Sequence, residues 1–95
     1  MEVLFLSQTS NVEGDAQQVN LTKTGGFINR TLQITGNLDG GTFTLMVFNG
    51  TSYVDVVDSA ITVVPDAVNY QFRSDYVKGK LAGCGASCDV TAVLI

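Results

Sequence analysis

The stretch Thr44-Leu-Met-Val-Phe-Asn-Gly-Thr-Ser-Tyr-Val-Asp-Val-Val-Asp-Ser59 has the pattern of a β-hairpin, and it decides the fold class of the chain. Asn49-Gly50 lies near its centre, and both residue types tolerate the positive φ of a tight turn. A strand with one wet face should alternate apolar and polar residues. The first strand, Thr42 to Phe48, does not alternate, because Met46 and Phe48 add a second apolar face. We therefore expect both faces of this strand to be covered.

The rest of the chain repeats short apolar or alternating runs, separated by clusters of Gly, Asn, Asp and Ser about every ten residues. This pattern is typical of an antiparallel sandwich or barrel, and no window supports a long helix. We predict an all-β fold: a single antiparallel β-sandwich domain over residues 1–95, jelly-roll-like, with about seven to nine short strands. The runs lie at Val3–Leu6, Gln18–Thr22, Arg30–Thr35, Thr42–Phe48, Tyr53–Val57, Ile61–Val64, Val68–Arg73, Tyr76–Ala82 and Asp89–Ile95.

The chain is poor in charge. Charged residues make up 15% of its 95 residues, whereas about 25% is usual in soluble domains. Its net charge is -4, and the basic residues Lys23, Arg30, Arg73, Lys78 and Lys80 do not form the cluster that a phosphate backbone requires. We expect no nucleic-acid partner. Lys78 and Lys80 share a strand face, which favours a solvated edge strand guarded by lysine.

The first ten residues, MEVLFLSQTS, lack a basic region and a long apolar run, so they do not resemble a signal peptide. No window approaches the roughly 18 apolar residues of a membrane-spanning helix. We therefore expect a protein without membrane contact, made and assembled in a cytoplasm.

Catalytic signatures are absent from the sequence. The chain has no histidine, which removes the commonest general base and a common zinc ligand. Asp55 and Asp58 are three residues apart in an expected strand, so they should point to opposite faces and not act as a pair. A calcium site using Asn37 and Asp39 is conceivable, although turn chemistry alone explains both residues. We predict no enzyme activity, no metal and no cofactor.

Cys84 and Cys88 are the only cysteines. Residues four apart in a strand are roughly 13 Å apart, whereas a disulfide needs Cα atoms within about 7 Å. Only a turn could bridge them, and the glycines Gly83 and Gly85 favour one. So short a loop would add roughly 2 kcal/mol of stability. Free thiols, a Cys84–Cys88 disulfide, and metal or redox chemistry all remain open at this point.

The three tyrosines, Tyr53, Tyr70 and Tyr76, could form a sugar-stacking platform, but the pattern favours core and interface roles. Tyr70 is in phase with Val68 and Phe72, so we expect it to be buried with its hydroxyl near a surface.

The second half of the chain, about residues 41–95, resembles the small β-sandwich modules of tailed-bacteriophage virion proteins. The resemblance is a pattern of strands carried by Gly41-Thr-Phe-Thr-Leu45, Asn49-Gly-Thr-Ser-Tyr-Val-Asp-Val56, Ala67-Val-Asn-Tyr-Gln-Phe72, Asp75-Tyr-Val-Lys-Gly-Lys-Leu81 and Val90-Thr-Ala-Val93. It implies a non-enzymatic virion protein assembled in the host cytoplasm. The specific expectation is a capsid decoration or cement protein that bridges major capsid protein subunits, with a homo-oligomer, commonly a trimer, as the arrangement.

The resemblance gives one explanation for the two-sided strand. Met46, Phe48 and the terminal Ile95 would then contact other polypeptides, each of the first two contributing about 1.5 to 3 kcal/mol on burial. The alternative is intramolecular, with the second sheet covering one face and the polar N-terminal loop covering the other. Two other functions compete: a tail, head-tail or host-adhesion module that binds surface glycan, and a small hydrolase, which the missing histidine disfavours.

Overall fold

The computed structural model describes residues 2–18, 28–56, 59–72 and 76–95. Within these ranges the chain is all strand and loop, and no helix is long and apolar enough to span a membrane. The strands are β1 (Glu2–Gln8), β2 (Val12–Glu13), β3 (Gln17–Gln18), β4 (Ile28–Asn37), β5 (Thr42–Phe48), β6 (Tyr53–Asp55), β7 (Asp66–Phe72), β8 (Tyr76–Ala82) and β9 (Asp89–Leu94).

The strands form two antiparallel sheets that pack face to face. Sheet A has the order β1-β9-β4-β7, and sheet B has the order β2-β8-β5-β6, with β3 also paired to β8. β2 pairs with β8 at Leu81 and Lys80, and β3 pairs with it at Val77 and Tyr76, so β2 and β3 act as one interrupted strand. If β2 and β3 are counted as one strand, β5 to β6 is the only connection between described strands that stays within one sheet. All the other connections cross to the opposite sheet, and this is the jelly-roll arrangement. The predicted all-β sandwich is confirmed.

The core follows from side chains that alternate along each strand. In β4, Leu32 and Ile34 are fully buried, while Gln33 and Thr35 are exposed, as the alternating sequence predicts. Sheet B supplies the facing layer, including Phe43 and the other inward residues of β5 and β8. The largest fully buried side chains are Phe43, Leu32, Ile34, Leu45, Leu94, Val77, Val90 and Ser59.

Two sequence expectations about strands are wrong. Ile61–Val64 is not a strand: Ile61 makes a single bridge to Phe43 and is buried, and the chain bends immediately before Pro65, which lacks an N–H to donate. The strand that carries Lys78 and Lys80 is not an edge strand either, because β8 lies between β5 and the β2/β3 segment.

Other boundaries shift by a few residues. β4 runs on through Asn37 into the expected turn, and β6 ends at Asp55. The weak strand expected over Gln18–Thr22 is represented by β3, which ends at Gln18; residues 19–22 and Val57 lie outside the described part of the chain.

Candidate interaction faces and the cysteine loop

Met46 lies on the outer face of sheet B, which points away from the core. It alternates with the core residue Leu45 and is only 8% exposed, yet it does not belong to the core cluster. Its cross-strand neighbours are Asp55 on β6 and Lys78 on β8. Because directly paired residues of a sheet lie side by side, these neighbours flank Met46. The outer face of sheet B includes Thr44, Met46, Phe48, Tyr53, Asp55, Tyr76, Lys78 and Lys80, with Glu13 and Gln18 at its β2/β3 edge.

Two lysines of β8 on this face are held by ion pairs, one to the adjacent β2 and one to β6 across β5. The Lys78 ammonium pairs with the Glu13 carboxylate and lies 4.1 Å from the centre of the Tyr53 ring. The Lys80 Nζ lies 3.0 Å from Asp55 Oδ1. Long lysine stems can cover apolar surface while their charged ends stay in water. Among the described residues, Asp55 and Lys78 are the cross-strand neighbours of Met46, and the long stem of Lys78 is suited to cover it.

The aromatic residues of sheet B's outer face gather at one end of β5. The rings of Phe48 and Tyr53 are 5.2 Å apart between centroids and inclined by 46°. Phe48 is half-buried, whereas Tyr76 on β8 is exposed. Tyr70 is elsewhere: it lies in the core, as expected, and its hydroxyl donates to the backbone oxygen of Ser59 at 3.1 Å. The three tyrosines therefore do not share one platform.

Ile95 lies on the outer face of sheet A, on the opposite side of the sandwich from Met46 and Phe48. It continues β9, where Ala92 and Leu94 point inward, and its backbone exchanges hydrogen bonds with Thr31 of β4. Its side chain is 51% exposed. The structure thus separates the three residues expected at an interface into two faces.

The outer face of sheet A is largely uncharged. Its described residues in the middle of β4, β7 and β9 alternate with the buried core positions. The Thr31 hydroxyl donates to Asn69 Oδ1 at 2.7 Å across the β4–β7 pair. The central positions of this face are Thr31, Gln33, Thr35, Ala67, Asn69, Thr91, Val93 and Ile95. None of these described central positions carries a charge, and depletion of charge is typical of the core of a protein interface.

At one end of the sandwich, the loop Gly83–Cys88 lies against the turn between β4 and β5. Asp39 holds it twice: the carboxylate accepts from the Ser87 N–H at 2.8 Å, and the backbone oxygen accepts from the Gly85 N–H at 3.1 Å. Asn37 Nδ2 donates to the Ser87 backbone oxygen at 3.1 Å. Asn37 and Asp39 therefore hydrogen-bond to the loop Gly83–Cys88. The described residues contain no cluster of three or more metal-binding side chains.

This loop brings the two cysteines together. Both are free thiols, Cys84 half-buried and Cys88 buried, and their side chains are within hydrogen-bonding reach of each other. Burial, followed by the neighbouring Cys84 thiol and the carboxylates of Asp39 and Asp89, raises the pKa of Cys88 to about 11. The turn that a disulfide requires is present, since the Cys88 N–H donates to the Gly85 oxygen at 3.3 Å. The two sulfurs are not bonded to each other in this structure, and the disulfide stays one of the alternatives considered from the sequence.

Sequence reasoning missed the pairing of the two lysines and the buried Ser59. The ion pairs of the lysines and the burial of Ser59 depend on which segments lie side by side in the fold. The residue pattern of one strand does not predict this. A signal for the lysines was present, because Asp55 in the return strand and Glu13 in the N-terminal loop offer carboxylates without nearby cations in sequence.

Comparisons of the chain with protein-family models, with curated proteins and with solved structures found no match.

Proposed function

We propose that this chain is a non-enzymatic virion structural protein, a capsid decoration or cement protein that bridges neighbouring major capsid protein subunits. The observation that carries the proposal is the position of apolar residues on two opposite faces, with Phe48 on sheet B and Ile95 on sheet A. A bridging protein needs two contact surfaces. The strand pattern that resembles phage virion modules adds to this support.

The proposed mechanism is stabilisation by mass action. A protein that binds the assembled shell but not its separated subunits shifts the equilibrium toward the shell. Many weak contacts repeated over a lattice strengthen one another, so each copy needs only a modest affinity. Self-association into a homo-oligomer would multiply the contacts again.

The test is cosedimentation of the chain with emptied capsids of the phage that encodes it. We expect Phe48→Asp and Ile95→Asp each to reduce binding, because a carboxylate would have to be desolvated at a contact. Val63→Asp is the matched control, since Val63 is 73% exposed in the loop before β7 and belongs to neither face. Unchanged binding of both face variants, with both proteins folded, contradicts the proposal.

A second candidate is a tail, head-tail or host-adhesion module that binds surface glycan. The observation that favours it is the aromatic group Phe48, Tyr53 and Tyr76 on the outer face of sheet B, because sugar rings stack on aromatic faces. A glycan array probed with the soluble chain separates the two candidates. Binding that is lost in Tyr76→Ala, without any capsid binding, would favour adhesion over the decoration role.

A further inference from the structure

A groove of about 300 Å³ runs between the two sheets on one side of the sandwich. One wall is β1, the edge strand of sheet A, and the other is the interrupted β2/β3 edge of sheet B. Its lining includes Val3, Leu6, Val12, Glu13, Asp15 and Gln17.

The β1 wall of the groove is a sheet edge that carries exposed apolar side chains. Among the described residues β1 pairs with β9 alone, so no described strand pairs with its other side. Edge strands are commonly guarded by lysine or proline, and β1 contains neither. Leu6 is 76% exposed, and Val3 is also exposed. The pairing of β1 with β9 is irregular at two places, and the exposed side chains of β1 include Val3, Leu6 and the polar Ser7.

The charge of the groove limits what it can accept. Glu13 and Asp15 contribute carboxylates, and none of the described residues that line the groove is basic. Glu13 pairs with Lys78, whereas Asp15 is exposed and has no ion pair within the described part of the chain. A second copy would bring its own carboxylates to this place, and each chain carries a net charge of -4. Repulsion between like charges therefore disfavours self-association here.

We propose that this groove docks an extended segment of another polypeptide in which apolar and basic residues alternate, added as a strand beside β1. The backbone of the segment would pair with the outer side of β1, which is how strand addition gains affinity. Its apolar side chains would contact Leu6 and Val3, and a lysine or arginine would reach Asp15. The proposal concerns the isolated chain and does not rest on the capsid function.

The probe is the acetylated and amidated peptide Thr-Lys-Val-Lys-Val-Lys-Thr, titrated into the full chain while backbone amide shifts are followed by NMR. Its counterpart with glutamate in place of lysine is the control peptide. We expect the lysine peptide to shift amides of β1, β2 and β3, and the glutamate peptide to leave them unchanged. Added salt should weaken the lysine peptide's binding, because exposed charge pairs are screened.

Two variants test the residues. Leu6→Lys should weaken binding by about tenfold, since it removes an apolar contact and adds a repelling charge. Asp15→Asn should weaken it by about threefold, as expected for one exposed ion pair. Val63→Lys is the matched control and should bind like the parent, because Val63 is equally exposed but lies outside the groove. Leu6→Thr, a good strand former, replaces Leu6→Lys if the latter does not fold.

Three outcomes overturn the proposal. Equal binding of both peptides removes the role of charge, and unchanged binding in the Leu6 variant removes the role of the groove. A concentration-dependent dimer of the parent chain that disappears in Leu6→Lys would assign the groove to a second copy instead. Light scattering after size exclusion measures that dimer directly.

Discussion

The Phe5 ring occupies the place where a side chain on Gly79 would stand. A Cβ built on Gly79 would lie 2.8 Å from Phe5 Cε2 and 2.8 Å from Phe43 Cε2. The two phenylalanine rings meet edge to face, with centroids 6.0 Å apart and planes at 89°. Gly79 is in β8 at the middle of sheet B, so the edge strand β1 of sheet A packs its ring directly on the backbone of the opposite sheet.

Gly79→Ala should therefore destabilise the fold although alanine is a small residue. We expect a loss of about 1 to 3 kcal/mol in the free energy of unfolding, because the added methyl group forces two packed rings to move. Urea denaturation measures this change. The double variant Gly79→Ala with Phe5→Leu should cost less than the sum of the two single changes; additive costs would show that the ring does not fill this space.

Ser59 is a buried residue whose hydroxyl bonds the backbone of Leu45 in β5. Its Oγ accepts from the Leu45 N–H and donates to the Leu45 oxygen, both at 3.2 Å. Ser59→Ala should lower the free energy of unfolding by about 1 to 3 kcal/mol, since a buried N–H loses its partner. Ser52→Ala in the exposed hairpin loop is the control and should be nearly neutral. Equal effects of the two changes would contradict the role of Ser59.

Tyr70 and Cys88 should make the fold sensitive to alkali. Burial, then the Asp66 carboxylate, raises the pKa of Tyr70 above the ordinary value of 10.0, and the pKa of Cys88 rises from 9.0 to about 11. A raised pKa in the folded state means that the unfolded chain loses its proton first, so stability falls as pH rises. For Cys88 the loss runs from about pH 9 to 11, and for Tyr70 it begins near pH 10.

Tyr70→Phe and Cys88→Ala should each flatten part of this alkaline decline. The measurement is urea denaturation at several pH values between 7 and 11 for the parent and both variants. A parent curve that falls no faster than those of the variants would show that neither group is buried in its neutral form.

The two thiols should differ in reactivity. Thiolates are the reactive form, so the buried Cys88 with its raised pKa should be alkylated more slowly than the half-buried Cys84. Mass spectrometry after timed exposure to iodoacetamide, followed by peptide mapping, measures both rates. Equal rates in the folded chain would contradict the burial of Cys88. A chain that resists alkylation until it is reduced, and weighs two hydrogens less, would establish the disulfide.

Lys78 should matter through its stem more than through its charge. Lys78→Ala removes the long stem of the residue paired with Met46 and should cost about 1 kcal/mol, whereas Lys78→Met keeps an apolar stem and loses only an ion pair and a cation–π contact. We expect the methionine variant to be the more stable of the two in thermal unfolding. The reverse order would mean that the ion pair with Glu13 dominates.

The sequence predicts those parts of the fold that depend on one strand at a time. Alternation correctly places Leu32 and Ile34 in the core, and Asn49-Gly50 correctly marks a hairpin. The loop is longer than the two-residue turn that this pair usually forms: Phe48 pairs with Tyr53, and Asn49 Oδ1 accepts from the N–H groups of Thr51 and Ser52.

The parts that were not predictable depend on pairing between distant strands. The role of Lys78 follows from its pairing with Met46 and from the position of Glu13 on β2. Neither can be predicted from the residues next to Lys78 in sequence. Ile61 shows the same effect: its β-branched neighbours favour a strand, but only one of its positions pairs with β5. The groove beside β1 likewise arises from two separate sheet edges.

The separation of Ile95 and Phe48 onto opposite faces has a mechanical consequence. Packed sheets lie about 10 Å apart, and that distance is set by the side chains between them, such as Phe43 and Leu32. Two proteins that contacted the two outer faces would be held apart by the fixed thickness of the sandwich. The volume of the core side chains, rather than the chemistry of the outer faces, would then determine the distance between those two proteins.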